Sequence, residues 1–140
     1  MITFIRRPGN KLKHLKHILP FIPEFEGTYI EPFIGTGALF LKITPNKFII
    51  NDINKDLMGI WKLVRDDPEF LLDEINKIKE KLLSLDTPDK IKYCKEITDS
   101  IEGETNEKLK IVKYHTMVYC SFQSTLSHSY SNSEYFFTGL

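Results

Sequence analysis

The stretch that decides the fold occupies residues 29–41 and reads Tyr-Ile-Glu-Pro-Phe-Ile-Gly-Thr-Gly-Ala-Leu-Phe-Leu. It predicts a β-strand that ends on Glu31, a turn through Gly35 and Gly37, and an apolar helix. Residues 50–54 read Ile-Asn-Asp-Ile-Asn, which predicts a second strand that ends on a carboxylate. A glycine turn for close backbone approach and an acid for ribose hydroxyls describe one half of a nucleoside-binding α/β crevice.

The elements around this stretch follow one another as in a βαβ unit. The spacing of leucine and isoleucine predicts a helix over residues 11–19 that Pro20 and Pro23 end. A strand, a helix and a strand are then predicted over residues 28–31, 38–43 and 48–50. The last strand is fully apolar, which is typical of a buried parallel strand. We therefore predict an α/β fold with a Rossmann-like βαβ core over residues 1–54.

Residues 55–140 are predicted to be mainly helical. Pro68, with acidic residues on both sides of it, is a strong helix start. Four helices are predicted, over residues 55–64, 68–85, 87–101 and 107–122. The tail over residues 121–133 is rich in Ser, His and Tyr and is predicted to be a loop. Lysine and glutamate alternate along these helices, which is typical of solvated faces.

The glycine turn alone leaves two interpretations open. Gly35 and Gly37 let the backbone approach a ligand where a Cβ atom would collide, and the following helix would direct its N–H groups there. The alternative is a tight strand–helix turn without a ligand. A dinucleotide site would have a third glycine where this chain has Phe40, which disfavours NAD. Glu31 before the turn and Asp52 after the next strand favour a ligand.

Composition excludes some partners and compartments. Nineteen basic and nineteen acidic residues give a net charge of zero, so the chain has no overall attraction to nucleic acid or membrane. The segment Arg6–His17 is nevertheless a local basic patch that could contact phosphates.

Cys94 and Cys120 match no metal or redox spacing, which favours free thiols in a reducing cytosol. No stretch approaches the ~20 apolar residues of a membrane span, nor a secretory signal. We expect a cytoplasmic protein.

Three motifs, taken together, resemble those of a known family. Glu-Pro-Phe-x-Gly-x-Gly-Ala at residues 31–38 and Asn-Asp-Ile-Asn at residues 51–54 resemble the Dam-like (D12 class) adenine-specific DNA methyltransferases. Pro8-Gly9-Asn10-Lys11 resembles their N-terminal motif, a Pro/Gly turn followed by lysine. Order and spacing agree over about residues 5–70. Beyond that, only the helical character agrees.

The resemblance implies S-adenosylmethionine as the cofactor and DNA as the partner. Lys11 and the backbone near Arg7 would lie over the cofactor, although the family often has an aromatic residue at position 7. Asp52 would accept hydrogen bonds from the ribose hydroxyls, with Ile53 beside the adenine ring. The residues implied around the methionine end are Glu31, Phe33, Gly35 and Gly37. The helical part would begin a region that recognises the DNA target.

The family transfers the methyl group to the exocyclic amine of adenine with an Asp-Pro-Pro-Tyr motif, which holds the flipped base. No proline in this chain is followed by another proline. We therefore assign no catalytic residue and expect no transfer by these 140 residues alone. A fragment, a truncated gene and one half of a split enzyme all stay open, and a second chain or a C-terminal half would be a partner. The alternative is a non-catalytic DNA-binding or interaction module with a degenerate cofactor crevice.

Overall fold

The computed structural model describes residues 5, 7, 9 and 11–121. The predicted tail lies outside the described residues beyond Ser121, as do Pro8 and Asn10 of the N-terminal motif. The chain separates into two compact units, Met1–Met58 and Gly59–Leu140.

The N-terminal segment is helical, but it is not one continuous helix. It consists of a 3-10 turn at Lys11–His14, a single α-turn at Leu15–Ile18 (α1) and a second 3-10 turn at Leu19–Phe21. The α-turn ends at Ile18, before Pro20 as predicted, but a 3-10 turn continues the helical backbone through Pro20 to Phe21. The first positions of a helical turn need no internal N–H donor, so proline is accepted there.

A two-stranded parallel sheet forms the centre of the first unit. Strand β1 covers Tyr29–Glu31 and strand β2 covers Phe48–Ile50, with Ile30 opposite Ile49 in the register. Helix α2, Phe40–Ile43, lies between them in the chain. It begins two residues later than predicted and is only one turn long. It ends at Thr44, whose φ is 48°, and Pro45 follows, so the predicted stop is confirmed.

The expectation that the second strand is buried is wrong. Phe48 is 46% exposed and Ile49 is 57% exposed. Successive side chains of a strand point to opposite faces of the sheet. On one face Phe40 stacks on Tyr29 with ring centroids 6.4 Å apart and contacts Phe48 at 4.7 Å. On the other face Ile30, which is 63% exposed, and Ile49 are uncovered in the part of the chain that the structure describes.

The second unit is helical over its described residues, and its first helix begins before Gly59. The helices are α3 at Lys55–Asp66, α4 at Pro68–Leu83, α5 at Thr87–Ser100 and α6 at Glu107–Cys120. Each predicted helix is thus found, with ends shifted by at most two residues. A polar side chain caps each helix by accepting a hydrogen bond from a first-turn N–H, and these caps are Asn54, Asp67, Asp86 and Asn106.

The interior of the helical unit lies where α4 and α5 each pack on α6. Val112 and Met117 of α6 and Cys94 of α5 are fully buried. Parallel strands and helices together confirm the prediction of a mixed α/β class. Within the described residues, none of the helices combines the length and the hydrophobicity that crossing a membrane requires.

Candidate ligand site

The glycine turn adopts the left-handed backbone that its sequence predicts. Gly35 has a φ of 53° and Gly37 a φ of 71°, a region that residues with a Cβ atom adopt at a cost. The N–H of Gly37 donates to the carbonyl of Ile34 at 2.9 Å, which closes the turn. Apart from its neighbours in the chain, a Cβ atom built on Gly35 would meet no atom of the described residues within 4 Å. Open space therefore lies in front of this turn.

Asp52 joins the two motifs through backbone hydrogen bonds. Its Oδ2 accepts from the N–H of Gly35 at 2.9 Å, and its Oδ1 accepts from the N–H of Asn54 at 3.0 Å. The N–H of Ile34 also donates to the carbonyl of Asn51 at 2.9 Å. An ionised carboxylate has about four acceptor positions. Asp52 can therefore hold the turn and still accept hydrogen bonds from a ligand.

Glu31 is buried at the end of β1, and both of its carboxylate oxygens are hydrogen-bonded. Lys11 Nζ donates to Oε1 at 2.8 Å, and the hydroxyl of Tyr29 donates to Oε2 at 2.9 Å. Lys11 Nζ also donates to the carbonyl oxygen of Phe33 at 2.6 Å. A buried carboxylate needs such partners, because burial of an unpaired charge is costly.

A cleft of about 220 Å³ lies at the carboxyl end of β1, and Lys11, Phe33 and Gly35 are among the residues that line it. In open α/β sheets, ligands bind outside the carboxyl ends of the strands. Two cationic side chains, Arg7 and Lys11, line this cleft, and the ammonium of Lys11 is paired with the carboxylate of Glu31. The remaining lining residues are Gly9, Phe33, Ile34, Gly35, Thr36, Ala38 and Leu57.

A larger cavity, of about 530 Å³, lies at the opposite end of the sheet. It is lined by the segments 22–27 and 43–47, which precede the two strands. Because the glycine turn and the acidic strand ends lie at the other end, we take the smaller cleft as the candidate site.

The structure brings most of the predicted site residues to this cleft. Arg7, Lys11, Phe33 and Gly35 line it. Glu31 and Asp52 contact lining residues through the hydrogen bonds described above, and Gly37 is buried in the turn behind it. Ile53 is not among the lining residues and is 91% exposed.

One expectation about the site needs correction, and one residue was missed. A helix after the glycine turn was expected to direct its N–H groups at the ligand, but α2 is a single turn that starts at Phe40. The dipole of so short a helix is small, since it grows with the number of aligned peptides.

Tyr29 was not assigned to the site from the sequence. The available signal was its position two residues before Glu31, which places both side chains on one face of β1.

Comparison with known proteins gives a consistent result. The family model of the D12 class N6 adenine-specific DNA methyltransferases matches residues 8–138. The chain is 34% identical over 113 residues to the type II methyltransferase M.MjaIII of Methanocaldococcus jannaschii, covering 74% of this chain and 39% of that protein. It is 40% identical over 70 residues to the type II methyltransferase M1.LlaDCHI of Lactococcus lactis subsp. cremoris, covering 50% of this chain and 25% of that protein.

A third relative is the DNA adenine methylase of Escherichia coli strain K12. It is 34% identical over 63 residues, which cover 45% of this chain and 22% of that protein. The matched part of the chain thus spans between about a fifth and two-fifths of the length of these curated relatives.

Proposed function

The chain belongs to the D12 class of N6 adenine-specific DNA methyltransferases, and we propose that it forms the part of such an enzyme that binds S-adenosylmethionine. Enzymes of this class use that molecule as methyl donor. The observation that carries the proposal is the cleft beside the glycine turn, where Gly35 leaves open space and donates its N–H to Asp52.

The chemistry of the residues fits the cofactor. In this proposal Asp52 accepts hydrogen bonds from the ribose diol, for which a carboxylate is the natural partner. Arg7 and Lys11 hold the carboxylate of the methionine part by charge. When bound, the cofactor supplies a methyl group that its sulfonium already activates. Ile53, an exposed apolar side chain directly after Asp52, would cover the adenine ring.

The remaining predicted residues have supporting roles. Glu31, Phe33, Gly35 and Gly37 form the wall around the methionine end of the cofactor. The cleft volume of about 220 Å³ is below the ~300–1,000 Å³ of typical ligand pockets. We therefore propose that these residues hold one end of the cofactor, and that polypeptide other than the described residues encloses the rest.

We also propose that the sheet belongs to a larger Rossmann-like core. Parallel sheets are covered on both faces, whereas Ile30 and Ile49 expose one face of the β1–β2 pair. The matched part of this chain covers 39% of the length of M.MjaIII. A second chain or further polypeptide of the same protein would cover this face. DNA is the proposed substrate, and residues 55–140 would begin the region that recognises it.

Isothermal titration calorimetry with S-adenosylmethionine tests the proposal on the full chain. We expect saturable binding by the wild type and a loss of at least tenfold in affinity for Asp52→Ala. Asp99→Ala, which removes an exposed carboxylate from α5, should bind as the wild type does. Absence of binding by wild-type protein whose circular dichroism shows it to be folded would remove the proposal.

The second candidate is a non-catalytic DNA-binding or interaction module with a degenerate cofactor crevice. The absence of an Asp-Pro-Pro-Tyr motif from the 140 residues favours it. A fluorescence-anisotropy titration with adenine-containing duplex DNA separates the two. DNA binding by a chain that calorimetry shows not to bind S-adenosylmethionine would favour the module.

A further inference from the structure

The hydroxyl of Tyr29 is held in place by an aromatic cluster. The Tyr29 ring stacks with both Phe25 and Phe40, with centroid distances of 6.1 Å and 6.4 Å and interplanar angles of 21° and 29°. Phe40 in turn contacts Phe48 edge to face at 4.7 Å. Aromatic pairs prefer such stacked and edge-to-face arrangements, which favour one orientation of the Tyr29 ring. The position of the hydroxyl therefore follows from the packing of the sheet.

This hydroxyl binds a carboxylate that cannot turn freely. Glu31 is only 6% exposed, and its Oε2 accepts the Tyr29 hydroxyl while its Oε1 accepts Lys11 Nζ. Burial, followed by the hydrogen bond and the charge of Glu31, raises the pKa of the Tyr29 phenol. Tyr29 thus stays a protonated donor at neutral pH. The hydrogen bond from Tyr29 to Oε2 orients the carboxylate so that Oε1 points toward Lys11.

Lys11 connects Glu31 to the candidate site. Its ammonium donates to Glu31 and to the carbonyl of Phe33, and its side chain lines the cleft together with Phe33. A continuous set of hydrogen bonds therefore runs from Tyr29 through Glu31 and Lys11 to the wall of the cleft. We propose that Tyr29 is a positioning residue of the cofactor site, which acts through Glu31 by fixing the ammonium of Lys11 at the cleft. This proposal rests on the proposed function.

The variant Tyr29→Phe tests the proposal, because it removes the hydroxyl and keeps the aromatic stack. Calorimetry with S-adenosylmethionine, at a temperature where every variant is folded by circular dichroism, should give a dissociation constant three- to tenfold above that of the wild type. Tyr93→Phe, a matched tyrosine in α5, should bind as the wild type does. A residue that only satisfied a buried carboxylate would lower the melting temperature and leave the dissociation constant of the folded protein unchanged.

A double-mutant cycle tests the route through Lys11. If Tyr29 acts by fixing that ammonium, Tyr29→Phe should change the dissociation constant less than twofold in a Lys11→Met background. If Tyr29→Phe raises the dissociation constant by the same factor in the wild-type and the Lys11→Met background, this route is overturned. An unchanged dissociation constant in Tyr29→Phe would overturn the positioning role while leaving the proposed function intact, whereas absence of binding by the wild type would overturn both.

Glu31→Gln provides an independent variant if Tyr29→Phe does not fold. The amide keeps the size of the side chain but removes the charge to which the hydroxyl and the ammonium donate. A dissociation constant that rises at least threefold in the wild-type background, and less than twofold in a Lys11→Met background, supports the proposal. An unchanged dissociation constant, or an equal rise in both backgrounds, overturns it.

Discussion

The Asp52 carboxylate accepts a hydrogen bond from the backbone N–H of Gly35 at 2.9 Å, and this contact joins the two motifs that define the candidate site. The other oxygen of Asp52 accepts from the N–H of Asn54 at 3.0 Å. The same carboxylate thus orders the glycine turn and is the proposed partner of the ribose. Loss of cofactor binding in a variant of Asp52 could therefore have either cause, and a ligand that lacks the ribose hydroxyls separates them.

The first prediction uses that ligand. Wild-type protein should bind adenosine about tenfold more tightly than 2′,3′-dideoxyadenosine, because a hydrogen bond to a charged group contributes about 1.5–3 kcal/mol. In Asp52→Asn the ratio of the two dissociation constants, measured by NMR titration, should fall toward one. Asp99→Asn is the control. If the ratio in Asp52→Asn equals that of the wild type, Asp52 does not contact the ribose.

The second prediction concerns the glycine turn. Gly35→Ala should lower the free energy of unfolding by about 1–2 kcal/mol, because an L-residue is strained at the φ of 53° found here. Within the part of the chain that the structure describes, the added methyl group meets no atom within 4 Å beyond the adjacent residues, so it would project into the proposed ligand space. We expect affinity for S-adenosylmethionine to fall at least tenfold, measured by calorimetry on protein that urea denaturation shows to be folded.

The control for this variant is Gly103→Ala in the helical unit, where an added Cβ atom also meets nothing within 4 Å. It should leave the affinity unchanged. Full affinity in Gly35→Ala would mean that the ligand does not lie in front of this turn.

Local patterns were sufficient to predict most elements, but not the environment of each one. The turn at Gly35 and Gly37 and the strand that precedes Asp52 are encoded in a few adjacent residues, and both were found. The exposure of Phe48 was not predictable, because an apolar strand is buried only if other polypeptide covers it. An apolar strand has the same sequence pattern whether or not other polypeptide covers it.

Contacts between distant residues were the least predictable. The thiols of Cys94 and Cys120 share a hydrogen bond, which, with burial, raises the pKa of Cys94. The spacing of the two cysteines in the sequence does not predict this contact, because it depends on how α5 packs against α6. The Lys11–Glu31 pair is a similar case, since the two residues are twenty positions apart. Both residues were assigned to the site separately, on the basis of the family resemblance.

The third prediction concerns the uncovered face of the sheet. Ile30 and Ile49 are register partners and are 63% and 57% exposed. Ile49→Thr should raise the concentration at which the isolated chain stays soluble, because threonine keeps the β-propensity and removes apolar surface. The melting temperature should change by no more than a few degrees.

The control for the third prediction is Ile34→Thr, at a residue only 1% exposed. This variant should unfold at a clearly lower temperature, because it buries a hydroxyl and leaves a cavity. Light scattering of Ile49→Thr that equals that of the wild type would show that this face does not drive association.

The fourth prediction is a pH dependence in the helical unit. Lys113 Nζ donates to Glu104 at 2.7 Å, and this bond, followed by one from the N–H of Asn106, holds the pKa of Glu104 below its ordinary value. A lowered pKa in the folded state stabilises the protein above the unfolded pKa, and the contribution is lost as pH falls. Lys113→Met should therefore be less stable than wild type at pH 7, and the difference should shrink below about pH 4.

Urea denaturation at a series of pH values measures this difference, with Lys95→Met, an exposed lysine of α5, as the control. A difference between Lys113→Met and wild type that stays constant from pH 7 to pH 3 would show that it does not come from the charge of Glu104.

The last prediction is that the 140 residues alone do not transfer a methyl group. The proposed site can hold the cofactor, but no Asp-Pro-Pro-Tyr motif is present to hold a flipped adenine in line with the sulfonium. Correct placement of two reactants contributes orders of magnitude in rate. An assay with radiolabelled S-adenosylmethionine and mixed-sequence DNA should give background counts, while a full-length enzyme of the D12 class serves as positive control. Activity that co-purifies with the chain and disappears in Asp52→Ala would show that its catalytic residues lie elsewhere in these 140 residues.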